Sequence, residues 1–359
     1  MVKGAVFLKA NYPFEIKDFD IPAIENNSLL VKVSMSNICG SDLHFWKGEV
    51  KIPTPIILGH EAVGRIEKLG KRNRDMMGNK VKEGDKVIYK YFYHCNHCYP
   101  CSLGDYTACE NRVALGVNQR CDIYPYLNGA MAEYIYLRGE NIFLKVPEDI
   151  SDEEVSSANC ALATIIQALY RGNLSFGDNV IVMGAGALGL YACSFSKALG
   201  AKVLCLDLSD YRLKSAEIFG ADVTINSSSY DQEDLIRDVR KRFGDMGADV
   251  VIGLTGSPKL VDLGLRMLRK GGRFIEVGTI SDNSYGSLDF GRMVYSSQKI
   301  ITSLNYESWC LVKALRFIER YRDRYPFKDM VSHKFELSKI DEAFKVADSR
   351  KARRVAIIP

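Results

Sequence analysis

Long apolar runs are missing from this 359-residue chain. None approaches the roughly 20 residues that a helix needs to cross a bilayer, so no membrane partner is expected. Charge of one sign is also scarce: 48 basic residues face 44 acidic ones, for a formal net charge of +4. The densest basic stretches, 80–90, 237–242 and 345–354, are each interrupted by acidic or apolar residues. That is the pattern of solvated helix faces and loops, and no nucleic acid partner is expected from it. Internal repeats and low-complexity segments are absent. No secretory leader is expected either: residues 1–8 read as a first strand, because Asn11, Pro13 and Glu15 follow too soon for an apolar core segment.

Cysteine, by contrast, is plentiful. Ten cysteines in a chain without an export signal point to a reducing cytosol, where they serve as thiols or metal ligands. A cytoplasmic protein is expected. At 47% apolar and 26% charged residues the composition is ordinary for a globular chain, and the length suits two domains.

Cys95, Cys98, Cys101 and Cys109 fall at gaps of two, two and seven residues. Four thiolates at about 2.3 Å satisfy a tetrahedral zinc, and short loops let one segment wrap the ion. Such a site is closed to substrate and stabilises instead. An iron–sulfur site and a disulfide cluster are the competing readings; the common bacterial iron–sulfur run ends with a gap of three before Cys-Pro.

The chain is β-rich up to about residue 150, with short apolar runs at 28–34, 62–69, 86–91 and 132–137 broken by Gly, Pro, Asn and Asp. Residues 71–83 read as a surface loop. Residues 151–170 have a helical pattern with Ser151 as N-cap. From Asp178 strands and helices alternate: strands at 180–183, 203–206, 223–226, 250–254 and 273–277, helices at 188–199, 211–219, 231–243 and 258–268. Continuous apolar strands between helices mean a parallel sheet covered on both faces, an α/β arrangement. From about 297 the rhythm changes, with a strand at 300–303, helices at 309–321 and 340–348, and a last strand at 355–358.

Gly184, Gly186 and Gly189 form Gly-x-Gly-x-x-Gly between the strand at 180–183 and a helix whose first turn includes Leu188. A pyrophosphate would sit on that helix N-terminus, where N–H groups and the dipole favour anions. Asp207 ends the next strand. Its carboxylate can accept both adenosine-ribose hydroxyls and would repel a 2′-phosphate, which favours NAD over NADP. Arg212 could border the same ribose or the adenine; a solvated helix position is the other reading.

Cys39 follows a strand, His60 follows a Pro-containing loop, and Cys160 precedes the dinucleotide half. Two cysteines, a histidine and a water make a known catalytic zinc set, which lowers the pKa of a bound alcohol. Spacing alone also allows Cys160 as a buried small hydrophobe and His60 as an ordinary histidine.

Taken in order, Cys39-Gly-Ser-Asp, Gly59-His60-Glu61, the four-cysteine segment, the glycine motif and Asp207 resemble the zinc-containing medium-chain alcohol dehydrogenases over nearly the whole chain. The resemblance implies a GroES-like β-rich catalytic domain, 1–160 and 297–359 with a structural zinc lobe at 91–112, and a Rossmann NAD-binding domain at 161–296. It implies two zincs, one on Cys39, His60 and Cys160 and one on Cys95, Cys98, Cys101 and Cys109. Glu61 would lie beside the catalytic metal and replace water as a ligand at some stage, and Asp42 would orient His60. Ser41 would bond the alcohol and pass its proton through the cofactor ribose to His44. Gly40 stands where some members carry a basic residue toward the phosphates; Arg354, or Arg353, would contact the pyrophosphate instead. The family is oligomeric, so a homodimer or homotetramer is expected.

Residues 39–46 resemble the polyol dehydrogenase branch, which usually carries a glutamate where Cys160 stands, so the two branch signals conflict. Phe45 and Trp46 would wall an apolar pocket or pack in the core. The expected activity is NAD-linked oxidation of a primary or secondary alcohol. A polyol, sugar-alcohol or L-threonine dehydrogenase is the alternative on the same scaffold. A zinc-ribbon nucleic-acid binder and a non-enzymatic protein keeping the fold are rivals from other classes.

Overall fold

A computed structural model describes residues 1–279, 281, 284–349 and 351–359; Arg350, in the basic stretch 345–354, lies outside them. The chain divides into two compact units. The first comprises Met1–Ala163, Glu307–Arg322 and Phe327–Pro359, the second Thr164–Tyr306 and Asp323–Pro326. Among the described residues no helix is long and apolar enough to cross a membrane.

In the second unit six strands form a parallel sheet in the order Val223–Asn226, Lys202–Asp207, Asn179–Met183, Ala248–Gly253, Leu268–Glu276, Lys299–Thr302. Val180, Val182, Val203, Cys205, Val250 and Ile252 are fully buried, as a sheet covered on both faces requires. The strand order reverses between Asn179–Met183 and Ala248–Gly253. That switch point is where open α/β sheets bind ligands.

Two expectations are corrected here. The strand expected at 300–303 was assigned to the catalytic tail, with the boundary at 296. It is instead the sixth strand of this sheet, Lys299–Thr302, and the unit runs on to Tyr306. The preceding helix, Phe290–Ser296, buries none of its residues, so the amphipathic rhythm fails although the sheet continues. The helix expected across 151–170 is not continuous either. Ser151 does cap its start, accepting the Glu154 N–H. The chain then runs from Asp152–Val155 through a π-helical turn, Ala158–Leu162, into Ala163–Arg171. Wide turns of this kind re-aim side chains and recur at functional sites; this one carries Cys160.

In the first unit a seven-stranded sheet is organised around Leu29–Asn37. This strand pairs antiparallel with Glu61–Leu69 along its length and with Tyr134–Leu137 at its start. Its end pairs with Arg354–Ile358, Ala356 opposite Asn37 and Ile357 opposite Ser36. The C-terminal strand thus lies beside the point where the chain leaves the sheet for Cys39. The apolar core below includes Val6, Phe14, Phe45, Leu127, Phe344 and Ile357.

Lys90 follows the strand Lys86–Tyr89 and is 1% exposed. Its ammonium donates to Ser308 Oγ at 3.3 Å and lies 4.4 Å from the centre of the Phe92 ring. Burial pushes its pKa down to about 8, against an opposing pull from Glu307. Ser308 opens the helix Ser308–Tyr321, whose N-terminal dipole also disfavours a cation. In the unfolded chain the lysine keeps its proton to about pH 10.4, so between these values the unfolded state binds more protons and stability rises with pH. Lys90→Met is therefore expected to raise the unfolding free energy measured by urea at pH 7, by up to about 3 kcal/mol for a shift of this size, and to lose that advantage near pH 10. A lower midpoint than wild type at both pH values would contradict this account.

Candidate active site and metal centres

Cys39, His60 and Cys160 come from three separate elements of the first unit: the end of the Leu29–Asn37 strand, the start of Glu61–Leu69, and the π-helical turn. Their ligand atoms all lie within 4.8 Å of one another. Each residue is at most 7% exposed. Cys39 Sγ and Cys160 Sγ are 3.8 Å apart. A tetrahedral zinc with bonds of about 2.3 Å has sulfur–sulfur edges of about 3.8 Å, whereas a disulfide closes to about 2.05 Å. The contact with Cys160 holds the Cys39 thiol well below its usual range, outweighing burial, with help from His60 and Arg354.

Asp42 orders two members of this cluster at once. One carboxylate oxygen accepts the Cys39 N–H at 2.8 Å, and the other stands 3.4 Å from His60 Nδ1. The distant ring nitrogen, Nε2, is left facing Ser41 Oγ at 3.4 Å. Burial opposes a charge on His60, but Asp42 and Cys39 together outweigh it and raise its pKa well above the ordinary value. Tyr91 packs its ring 4.7 Å from the His60 ring. Asn159, next to Cys160, donates its amide to the His60 and Tyr89 carbonyls at 3.2 and 3.0 Å. His44 lies three residues beyond Ser41 on the helix Gly40–Lys47, about 30% exposed, and is paired with Glu49.

Glu61 and Arg354 form a buried ion pair beside the cluster. Glu61 follows His60 directly, yet its carboxylate is outside the group of ligand atoms. Fully buried, it is bound by Arg354 through Nε and Nη2, both at 2.8 Å, by Ser157 Oγ at 2.5 Å and by Asn37 Nδ2 at 3.1 Å. Burial raises its pKa, and Arg354 opposes that rise. Arg354 is itself 7% exposed. It pairs with Glu61, because an ionised carboxylate out of water needs a partner of opposite charge. Arg353, the competing candidate, donates its Nε to the Asp329 carbonyl at 2.7 Å.

The four cysteines of the lobe also converge within 4.8 Å of one another. Cys98 and Cys109 are 3.9 Å apart and Cys109 and Cys95 3.6 Å apart. These are tetrahedral edges again, too long for disulfides. Backbone N–H groups point at the sulfurs, Cys95 N to Cys109 Sγ at 3.3 Å, and Asn111 donates to Cys95 Sγ at 3.6 Å. The backbone N–H of His97, helped by Asn111, pushes the Cys95 pKa down to about 5. Burial and the neighbouring Cys98 and Cys109 push the Cys101 thiol up instead, so the four sulfurs do not ionise alike.

In the second unit Gly184 takes φ +107°, in the left-handed region that glycine favours. A Cβ on Gly189 would stand 2.0 Å from the Gly184 carbonyl, so the turn and the helix close only around glycine there. A Cβ on Gly186 would meet nothing within 4 Å: this glycine borders open space. Gly186 is the N-cap of the helix Ala187–Ala198, and Leu188 stands in its first turn. Asp207 accepts the Ala185 N–H of the glycine turn at 2.7 Å and the Ser209 N–H at 2.9 Å. Its carboxylate is thereby held at the end of its strand. Arg212 lies in the first turn of Asp210–Ile218 and is partly exposed.

Phe45 and Trp46 both pack toward the core of the first unit. Phe45 is 6% exposed within the core of the first unit, and Trp46 packs on Phe344 at 5.8 Å. The short helix buries this face because Phe344 and Phe14 fill the space beneath it. Tyr91, Asn37, Ser157 and Asn159 were not singled out from sequence. An aromatic four residues before the first lobe cysteine is a weak signal for Tyr91; Asn37, Ser157 and Asn159 have none, since only the fold brings them together.

The comparisons with known proteins agree with this geometry. Residues 25–148 match the alcohol dehydrogenase GroES-like domain and residues 187–320 the zinc-binding dehydrogenase domain. The chain is 30% identical to a 5-exo-hydroxycamphor dehydrogenase of Pseudomonas putida, over 98% of this chain and 96% of that one. It is 32% identical to a D-arabitol-phosphate dehydrogenase of Enterococcus avium, over 91% and 88%. The crystal structure of an alcohol dehydrogenase from Thermotoga maritima superposes with a TM-score of 0.95 at 30% identity, covering 100% of this chain and 99% of that one. With two buried thiols and a histidine converging in a GroES-like unit, and a glycine turn opening a parallel sheet, the chain belongs to the zinc-containing medium-chain dehydrogenases, oxidoreductases acting on CH–OH groups.

Proposed function

We propose that this protein is an NAD-linked, zinc-dependent alcohol dehydrogenase that oxidises a primary or secondary alcohol to an aldehyde or ketone, reversibly. The observation that carries this reading is the pair of buried sulfurs 3.8 Å apart beside His60. Three protein ligands are the set of a catalytic zinc that keeps one position for substrate. Cys39, His60 and Cys160 would hold that ion, and Cys95, Cys98, Cys101 and Cys109 a closed structural one. Zinc, when bound, supplies Lewis acidity toward the substrate oxygen, and NAD supplies the hydride acceptor.

The remaining work falls to the chain itself. Asp42 fixes the His60 ring so that Nε2 faces inward. Ser41, 3.4 Å from Nε2, is placed to accept the hydroxyl proton of the substrate. His44, on the same helix face and paired with Glu49, would carry it toward solvent. Tyr91 covers one side of His60 and keeps water from it. On the cofactor side, the open space at Gly186 fits a pyrophosphate against the N–H groups of the first turn, Leu188 included. Asp207, oriented by the glycine turn, would take the ribose hydroxyls, with Arg212 at the adenosine border. Cys160 as third ligand supports simple alcohols over polyols. The names of two relatives span a hydroxycamphor and an arabitol phosphate, so neither substrate is carried over. For assembly, the edge strand Lys299–Thr302 and the exposed Phe290, Val294 and Tyr295 before it support association with a second copy.

Metal analysis is expected to find about two zincs per chain, and a panel of primary, secondary, cyclic and polyhydric alcohols should reduce NAD with at least one of them. Cys160→Ser should keep the lobe zinc, lose the other and abolish turnover; full activity at one zinc per chain would refute the division of roles. Asp207→Ser should shift the ratio of kcat/KM for NADP over NAD upward by about tenfold or more, the effect of removing one like-charge contact. An unchanged ratio would remove Asp207 from the ribose. Sedimentation should show a dimer or tetramer, and Val294→Asp with Tyr295→Asp should shift it toward monomer; a monomeric wild type would rule the interface out.

A further inference from the structure

Asn37 is fully buried at the end of a strand whose Leu29, Leu30, Val31, Val33 and Met35 are buried apolar residues. In the sheet it stands directly opposite Glu61, so both side chains project from the same face at cross-strand distance. Its amide nitrogen reaches three oxygens: Glu61 Oε1 at 3.1 Å, Ser156 Oγ at 2.9 Å and Ser157 Oγ at 3.1 Å. Ser157 Oγ in turn donates to Glu61 Oε1 at 2.5 Å. The amide orientation is dictated by the carboxylate, which can accept but not donate. Its Oδ1 has no hydrogen-bond partner among the described residues. A buried polar atom left without one costs stability, so the residue is held here for its donor.

These contacts join the three elements that carry the cluster. Asn37 precedes Cys39 by two residues, Glu61 follows His60, and Ser156 and Ser157 lead into the π-helical turn of Cys160. Without these contacts the Glu61 carboxylate would be held by Arg354 alone, with Oε1 less restrained toward the ligand atoms of its neighbour. Arg354 draws it one way by charge; Asn37 and Ser157 both hold the same oxygen, Oε1. We propose that Asn37, acting with Ser157, is a positioning residue that keeps Glu61 off the metal and so preserves an open coordination position for the substrate. This rests on the reading of Cys39, His60 and Cys160 as zinc ligands. On it, loss of the amide lets Glu61 become a fourth protein ligand, which tightens metal binding and closes the site to substrate.

The test uses the full-length protein with cobalt in place of zinc, read by its visible absorption. Asn37→Leu keeps the shape and removes the donor; Ser157→Ala is the smaller change should the first fail to fold. Either variant is expected to change the cobalt spectrum and to slow metal release to a chelator about tenfold, the scale of outer-ligand effects, with kcat falling more than KM changes. In Asn37→Leu combined with Glu61→Gln, or Ser157→Ala with Glu61→Gln, the spectrum should return toward that of Glu61→Gln alone. Wild-type spectrum and release rate in the single variants, with only the unfolding midpoint lowered, would reduce Asn37 to a structural role and overturn the proposal. Failure of the wild type to hold cobalt on Cys39, His60 and Cys160 would instead overturn the reading on which it rests.

Discussion

A carboxylate with no access to water lies next to a cluster of thiols, and the guanidinium of Arg354 is what allows it to remain there. Isolated, an ionised Glu61 would carry a desolvation cost of several kcal/mol. Two parallel N–H···O bonds at 2.8 Å offset much of it, in the planar geometry at which arginine excels. The consequence is architectural. Arg354 can reach Glu61 only if the C-terminal strand pairs with Leu29–Asn37, so the last residues of the chain must return to the first sheet. The discontinuous first unit, and the insertion of the parallel-sheet unit into the chain, are consistent with that requirement.

The same economy governs the rest of the cluster, where each ligand-bearing residue is held by a neighbour with a second task. Asp42 takes the Cys39 N–H with one oxygen and faces His60 with the other. Asn159 ties the turn of Cys160 to the backbone of His60 and Tyr89. Asn37 links the strand before Cys39 to Glu61 and to the serines before Cys160. Buried polar groups so connected are stiff, because moving any one leaves others unsatisfied in a medium of low dielectric. The lobe is organised differently. Its ligands come from one short segment, so it needs only local N–H···S contacts to bring four sulfurs to tetrahedral distances.

Sequence reasoning reached the residues whose chemistry is local. The lobe cysteines converge because fifteen residues cannot separate them far, and the glycine turn forms because Gly184 and Gly189 are needed where a Cβ would be strained or would clash. Alternating apolar runs placed the strands of the parallel sheet close to where they lie. It missed what depends on partners distant in sequence. Nothing in the sequence paired Arg354 with Glu61; only the strand pairing brings the two together. The strand Lys299–Thr302 looked like part of the tail because the helix before it, Phe290–Ser296, has no fully buried residue and so shows no amphipathic rhythm. For Phe45 and Trp46 the sequence left pocket wall and core open, and their packing toward Phe344 was visible only in the fold.

Composition, periodicity and the spacing of cysteines and glycines were enough, by themselves, to determine two kinds of domain, a converging four-thiol lobe and a glycine turn between strand and helix, because each of these is specified within one short window of chain. The tertiary structure alone decided that Cys39, His60 and Cys160 face one another, that Glu61 stands outside them, and that Arg354, 293 residues away, neutralises it. Those outcomes depend on which strands pair and in what register. Pairing is set by the burial of whole faces rather than by the few polar residues that the pairing then brings together.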